Sequence, residues 1–132
     1  MRHVFSRMFF NIELDENRQL RTPVGMLTGQ HPYGLAVISL RCSIEDELDD
    51  YEILALKTNL ITYTAHNRQK IVSYITGRKK SRFITFVPPY PIAYKMDTRN
   101  LANGTFTLYK IRNGEEIVMT TAALTVRIFE RL

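Results

Sequence analysis

The stretch TLYKIRNGEEIVMT, residues Thr107–Thr120, alternates polar with apolar side chains on both sides of Asn113-Gly114. Leu108 and Ile111 precede this dipeptide, and Ile117 follows it. Asparagine and glycine tolerate positive φ angles better than other residues, and a two-residue type I′ turn needs positive φ at both of its positions. The stretch therefore predicts an antiparallel β-hairpin with a two-residue turn at Asn113-Gly114.

Strand-like composition also dominates the rest of the chain. Short segments rich in β-branched and aromatic residues are separated by polar stretches or by stretches with Gly and Pro, as expected for strands joined by turns. Seven further segments have this character: His3–Ile12, Leu35–Cys42, Glu52–Tyr63, Gln69–Thr76, Phe83–Val87, Ile92–Met96 and Leu124–Leu132. The beginning of Glu52–Tyr63 is also compatible with a helix, but its TNLITY end favours a strand.

Alternation and proline refine these predictions. Side chains of a strand alternate between its two faces. We therefore predict that one face of Gln69–Thr76 carries Ile71, Ser73 and Ile75. Likewise, one face of Leu124–Leu132 carries Leu124, Val126 and Ile128. Pro88–Pro91 (PPYP) cannot lie within a central strand, since three of its four residues lack an amide donor. Arg21–Gly34, with two Pro and three Gly, is predicted to be a loop or an interrupted edge strand. Asp97–Gly104 is predicted to be a loop.

The count of eight or nine short strands, with no amphipathic helix longer than two turns, defines the expected fold class. We predict an all-β, antiparallel β-sandwich of about eight strands, jelly-roll-like, formed by residues 1–132 as a single domain. The pattern does not separate a jelly roll from an immunoglobulin-like topology, although the chain lacks the Cys–Trp–Cys set of a true immunoglobulin domain.

The composition is that of an ordinary globular protein. The chain has 132 residues, of which 45% are hydrophobic and 23% are charged. A chain of this size and composition is apolar enough to bury a core. No apolar run approaches the roughly 18–20 residues that a membrane span needs. The N-terminal stretch Met1–Leu20 is interrupted by Ser6, Arg7 and Asn11, so we interpret it as mature protein rather than a signal peptide.

Signals of enzyme chemistry are sparse. His3, His31 and His66 lie in unrelated contexts, and no zinc-binding spacing or nucleophile elbow is present. The single Cys42 excludes an internal disulfide and fits a reducing compartment. It is interpreted as a buried small hydrophobic residue, with a reactive thiol as the alternative. We expect no catalytic residue, no metal and no cofactor, and we predict that the protein is not an enzyme.

Charge is distributed unevenly along the chain, whose net charge is +5. Glu45–Glu52 holds six acidic residues, whereas Ile53–Met96 has no acidic residue and eight Lys or Arg. The acidic run is interpreted as a solvated loop or as a contact for a basic partner surface, including the basic surface of another copy. The candidate residues of this acidic loop are Glu45, Asp46, Glu47, Asp49 and Asp50.

A set of basic residues surrounds a predicted hairpin, Gln69–Val87, in which Tyr74, Phe83 and Phe86 are interleaved with the charges. Such a mixture is compatible with phosphate contacts and base stacking, with an ordinary charged loop, or with a protein interface. The candidate residues for a subunit interface or an anionic partner are Arg68, Lys70, Arg78, Lys79, Lys80 and Arg82.

Five segments recur in the same order at the end of one family of proteins. They are LKTNLI (56–61), GRKKSRF (77–83), FVPPYPIAYKM (86–96), FTLYKIRNGEEIV (106–118) and LTVRIFERL (124–132). In this order of features, over Tyr33–Leu132, the chain resembles the minor capsid (penton) proteins, single jelly rolls, of Polintons, adintoviruses and adenovirus-like double-jelly-roll viruses.

The resemblance implies a structural protein that forms a homo-oligomeric ring, a pentamer if it is penton-like, at capsid vertices. Its implied partner is a major capsid protein, and its implied location is the virion, assembled in the host cytoplasm or nucleus. The alternative is an intracellular, soluble β-sandwich adaptor, or a nucleic-acid-binding accessory protein that uses the basic region 57–95. An enzyme is the third class, and no membrane span is expected in any of them.

Overall fold

In the computed structural model of the chain, nine strands account for most of the part that the structure describes. The described residues are 8–14, 33–45, 53–62, 70–76, 82–97, 99, 104–111 and 114–130. The strands are β1 (Met8–Glu13), β2 (Tyr33–Ile44), β3 (Ile53–Thr58), β4 (Ile71–Thr76), β5 (Phe83–Phe86), β6 (Tyr94–Lys95), β7 (Phe106–Lys110), β8 (Glu116–Ile117) and β9 (Met119–Glu130). The predicted fold class, an all-β sandwich of antiparallel strands, is confirmed.

The C-terminal strand β9 lies in the centre of the first sheet. This sheet has the order β1-β9-β2-β5, and β6 also pairs with β2 on the side of β5. The predicted alternation is confirmed here, since Leu124, Val126 and Ile128 are at most 1% exposed. A strand with three such side chains buries enough apolar surface, at roughly 1.5–3 kcal/mol for each, to be held between two neighbours.

The second sheet packs its inner face against the first. Its order is β4-β3-β7-β8, and its inner side chains include Leu54, Leu56, Phe106 and Leu108, all fully buried. They join the inner side chains of the first sheet in one apolar cluster. The interdigitation of two inner faces is the usual core of a β-sandwich.

The strand order is that of a jelly roll. In the usual lettering of an eight-stranded jelly roll, one sheet has the order B-I-D-G and the other C-H-E-F. Here β1, β9, β2 and β5 occupy the positions B, I, D and G, while β7, β3 and β4 occupy H, E and F. The two-residue β8 lies beside β7, where strand C belongs, although it follows β7 in the chain. An immunoglobulin domain instead has the sheets ABED and CFG, so its first and last strands lie in different sheets.

The hairpin around Gly114 is present, but its connection is longer than predicted. Pairing of Leu108 with Ile117 continues to Lys110, whose N–H donates to the carbonyl of Glu115 at 2.8 Å. The connection therefore spans positions 111–114, rather than Asn113-Gly114 alone. The N–H of Gly114 donates to the carbonyl of Lys110. Gly114 has a φ of 60°, in the left-handed region that suits glycine.

The predicted hairpin Gln69–Val87 is wrong. β4 pairs with β3 in the second sheet, whereas β5 pairs with β2 in the first, so the connection between β4 and β5 crosses from one sheet to the other. A register shift opposite Leu56 and Lys57 also changes the predicted faces of β4. The alternation places Val72 on the other face of the strand from Ile75, but both side chains lie in the core.

The remaining segment boundaries shift by a few residues. The composition predicts that Tyr33 and Gly34 end a loop, but they begin β2, where they pair with β9. β3 ends at Thr58, earlier than predicted, because the Thr58 hydroxyl accepts a hydrogen bond from the N–H of Leu60 and a turn follows. Two parts of the predicted segments lie outside the described residues: 3–7 of His3–Ile12 and 21–32 of Arg21–Gly34.

Candidate interaction surfaces

Three of the charged residues predicted as a site are described by the structure: Glu45, Lys70 and Arg82. Glu45 and Arg82 are exposed, and Lys70 is half-buried. The others lie outside the described residues: Arg68, Arg78, Lys79, Lys80, Asp46, Glu47, Asp49 and Asp50. The same holds for the three histidines.

Glu45 and Arg82 lie at the same end of the sandwich. The N–H of Ile44, at the end of β2, donates to the carbonyl of Arg82 at 2.8 Å. In the other sheet, Ile53 at the start of β3 pairs with Thr76 at the end of β4. Glu45, where the acidic run begins, and Arg82, the last of the candidate basic residues, are therefore adjacent within one chain.

Lys70 lies at the opposite end. Its carbonyl accepts from the N–H of Thr58 at 3.2 Å, and the segment after Thr58 is hydrogen-bonded to Lys95, next to the start of β2 at Tyr33. The eleven-residue separation of Tyr33 and Ile44 along β2 corresponds to roughly 35 Å. Lys70 and Arg82 thus do not belong to one compact basic surface.

An acidic partner is close to Lys70. Asp97, whose side chain is 8% exposed, accepts hydrogen bonds from Nε and Nη2 of Arg99 at 3.0 and 3.1 Å. These hydrogen bonds lower the pKa of Asp97, and the charges of Arg99 and Lys70 lower it further. The N–H of Asp97 donates to the carbonyl of Leu60, so the arrangement ties the residues after β6 to this end of the sandwich, which is a structural role.

The edge beside β5 carries an exposed apolar surface that the sequence did not predict. Val87, Tyr90 and Ile92 follow β5, and Tyr90 is 87% exposed. We call these three residues the aromatic side. A cleft of about 260 Å³ opens next to them, lined by Val37, Val72, Ser73, Tyr74, Pro88, Tyr90, Ile92 and Tyr94. Burial, and then the adjacent Tyr74, raise the pKa of Tyr94.

Prolines separate the two short strands along this edge. β5 and β6 both pair with β2, and PPYP lies between them, away from any central position, as predicted. Proline has no amide hydrogen to donate to a further strand, and prolines on an edge oppose pairing with another sheet. The aromatic side is therefore presented by an edge that resists strand addition.

The outer face of the second sheet carries exposed apolar side chains at one end. Leu54 and Leu56 point into the core, so Ile53 and Ala55 belong to the outer face. Ala55 is nevertheless 1% exposed, because Tyr74 and Tyr109 pair with it from the two neighbouring strands. Ile53 and Ile111, 49% and 46% exposed, lie on neighbouring strand ends of this face, and we call these two residues the outer patch.

The outer face of the first sheet has a different character. A shallow groove of about 530 Å³ is lined there mainly by small and polar residues, among them Arg41, Ser43, Thr85 and Ala123. The Ser43 hydroxyl shares hydrogen bonds with the hydroxyl groups of Thr120 and Thr121. Phe83, 78% exposed, lies on the same face. It pairs with Ser43, which is two residues along β2 from Arg41.

Cys42 lies in the core, as the preferred interpretation predicted. It is 5% exposed, and burial raises the pKa of its thiol to about 12, so the nucleophilic thiolate is disfavoured. Among the described residues, no group of three or more His, Cys, Asp or Glu could hold a metal ion. Nor does this part of the chain contain a helix of the length and apolarity that crossing a bilayer requires.

The described residues thus form a jelly-roll β-sandwich that exposes apolar side chains beside β5 and on the outer face of the second sheet. Comparisons with models of protein families, with curated proteins and with solved structures give no significant match to the chain. The resemblance to minor capsid proteins therefore stays a prediction.

Proposed function

We propose that the chain is a structural protein of a virus capsid, which assembles into a homo-oligomeric ring at the vertices and contacts a major capsid protein. The observation that carries the proposal is the strand order, because the jelly roll is a common fold of capsid domains. Lectins and cupins share this architecture, so the fold alone does not decide the function. The virion, assembled in the host cytoplasm or nucleus, is the corresponding location.

Self-assembly is supported by the exposed apolar surfaces. Monomeric proteins rarely leave contiguous apolar patches larger than a few hundred Å² in water. The aromatic side and the outer patch expose five large apolar residues at 46–87% of their area. Association of copies would remove this surface from water, which is the driving force of most oligomers.

Charge pairing between the acidic and basic runs is a second contribution that we propose. We expect that reversing Lys79 and Lys80 to Glu weakens assembly, and that reversing Glu45 and Asp46 to Lys in the same chain restores part of it. Since Glu45 and Arg82 are adjacent within one chain, pairing inside a chain is the competing explanation. In that case the first reversal lowers the melting temperature and leaves the oligomer size unchanged.

Light scattering coupled to size-exclusion chromatography tests the proposal directly. One copy of the chain has a mass of 15.4 kDa. A closed ring has a mass that is a small multiple of this value and does not grow with protein concentration. A protein that keeps the mass of a single copy at every concentration contradicts the proposal. Co-expression with candidate major capsid proteins, followed by electron microscopy of purified particles, then decides whether the ring occupies vertices.

Nucleic-acid binding is the second candidate function, supported by one arrangement on the first sheet. Phe83 presents an exposed ring on the same face as the exposed Arg41, and Arg82 precedes it in the chain. An aromatic ring next to guanidinium groups can stack a base and contact its phosphates. Titration of a fluorescein-labelled oligonucleotide at about 50 and about 200 mM salt measures this function, because phosphate contacts weaken as salt rises.

Variants of Phe83 make the second test specific. Base stacking on the ring predicts that Phe83→Ala weakens oligonucleotide binding roughly tenfold, in line with about 1–3 kcal/mol for one stacked base, whereas Phe83→Tyr preserves it. Binding that is unaffected by Phe83→Ala, or that is absent even at the lower salt concentration, argues against this function.

A further inference from the structure

We infer that the aromatic side of one copy packs on the outer patch of the next copy. The inference rests on the proposed assembly of copies and names the two surfaces that meet. The aromatic side comprises Val87, Tyr90 and Ile92, and the outer patch comprises Ile53 and Ile111. Both surfaces are defined by described residues of a single chain.

The aromatic side has the size that such a contact needs. From their exposed fractions, Val87, Tyr90 and Ile92 leave on the order of 400 Å² of surface in water. One partner of a standard interface contributes about 800 Å², of which the centre is apolar and the rim polar. The aromatic side can therefore form the apolar centre of a standard interface.

The contact is made by side chains rather than by pairing of strands. A free edge usually associates by adding a strand of another chain. At this edge, three prolines interrupt the line of β5 and β6, and each removes one amide donor. Tyr90 projects between them, and tyrosine is favoured at the centre of interfaces because its ring buries a large area at a low cost in side-chain entropy.

The outer patch is the surface best suited to receive it. The N–H of Ile111 donates to the carbonyl of Ile53 at 3.1 Å, so these two exposed side chains lie on neighbouring strand ends. Beside them, the Tyr109 ring lies 4.2 Å from Nζ of Lys57, measured to the ring centroid. By contrast, the groove on the first sheet contains the charged Glu13 and Arg41 and the hydroxyl groups of Ser43, Thr85, Thr120 and Thr121, all of which would lose water on contact with Tyr90.

Two unlike surfaces on one chain imply a head-to-tail interface. A contact of this kind generates a closed ring if its rotation closes, whereas a surface that binds itself generates a two-fold dimer. The aromatic side lies on the edge of the sandwich and the outer patch on a face, so one copy can use both surfaces at once. This arrangement supplies the ring of the proposed function without requiring the charged runs.

Two single variants, each disabling one surface, test the inference. Tyr90→Glu places a charge in the aromatic side, and Ile53→Glu places one in the outer patch. Ala123→Glu, on the exposed outer face of the first sheet, is the matched control for added charge, and Tyr90→Phe is the control for ring area. Ile111→Glu replaces Ile53→Glu if circular dichroism shows that the latter is unfolded.

We expect each of the two variants to run at 15.4 kDa by light scattering, while both controls keep the wild-type mass. An equimolar mixture of Tyr90→Glu and Ile53→Glu retains one intact pair of surfaces, so it forms a heterodimer with the mass of two copies and nothing larger. Because the contact is apolar, about 1 M NaCl leaves the wild-type oligomer intact, whereas charge pairing would be screened.

Other results overturn the inference. If Tyr90→Glu is monomeric while Ile53→Glu and Ile111→Glu keep the wild-type mass, the aromatic side binds itself or another surface. If all three variants keep the wild-type mass, assembly uses other residues, and the proposed ring stands without this interface. If the variants behave as expected but the ring joins no capsid, the inference stands and the proposed function fails.

Discussion

Gly114 is the position where one added methyl group tests the backbone geometry of the β7–β8 connection. Its φ of +60° lies in the left-handed region, and a Cβ built there meets no heavy atom within 4 Å. Alanine in this conformation costs roughly 1–2 kcal/mol. The same substitution lowers the entropy of the unfolded chain, which returns about 0.4–1 kcal/mol. Gly114→Ala should therefore destabilise the protein by about 1 kcal/mol, through conformation and not through collision.

Thermal unfolding followed by circular dichroism measures this effect. For a chain of this length, about 1 kcal/mol corresponds to a decrease of the melting temperature by roughly 3–5 °C. Gly114→Asn is the matched control, because asparagine tolerates the left-handed region and should lose less than alanine. An alanine variant as stable as the asparagine variant would refute the left-handed geometry, and a loss above about 3 kcal/mol would refute the absence of collision.

Three further predictions follow from buried groups. Because burial raises the pKa of Cys42 to about 12, its thiol should react with Ellman's reagent at pH 8 only after unfolding in urea; rapid labelling of the folded protein would contradict its burial. Because the pKa of Asp97 is lowered in the folded protein, its carboxylate stabilises the fold at pH values above the unfolded pKa of about 4. Asp97→Asn should therefore lower the melting temperature at pH 7, and the difference from the wild type should disappear as the pH falls towards 2. A difference in melting temperature that is independent of pH would contradict this role of the carboxylate. Phe106→Ala, at a fully buried position, should cost about 3–5 kcal/mol in chemical denaturation, and a loss below about 1 kcal/mol would mean that its site is not packed.

Local patterns in the chain predict most of the strands. The alternation of Leu124, Val126 and Ile128 identifies the buried face of β9, because a strand exposes alternate residues to opposite sides and only one side meets the core. The prolines of PPYP exclude a central strand, and the structure has them between β5 and β6 at an edge. Each of these predictions depends only on neighbouring residues.

The candidate surfaces were harder to predict, since they depend on contacts between distant segments. The charged runs were visible as composition, but whether Lys70 and Arg82 share a surface depends on which strands pair. The position of Tyr90 did give a signal, because a residue between prolines is excluded from a central strand and so from the buried faces of the sheets. Ile53 and Ile111 gave none, since exposed and buried isoleucines look alike in a sequence.

Composition, alternation and proline placement thus determine that the chain is an antiparallel β-sandwich, because these properties act within a few residues and need no partner. The tertiary structure decides the length of the connection that ends at Gly114, the crossing between β4 and β5, and the jelly-roll order of the sheets. These features depend on pairings between strands that are up to 120 residues apart, such as β1 with β9, and neither segment alone determines the energy of such a pairing. The same pairings bring Ile53 beside Ile111 and leave Tyr90 exposed, and so they create the two surfaces that we propose to meet.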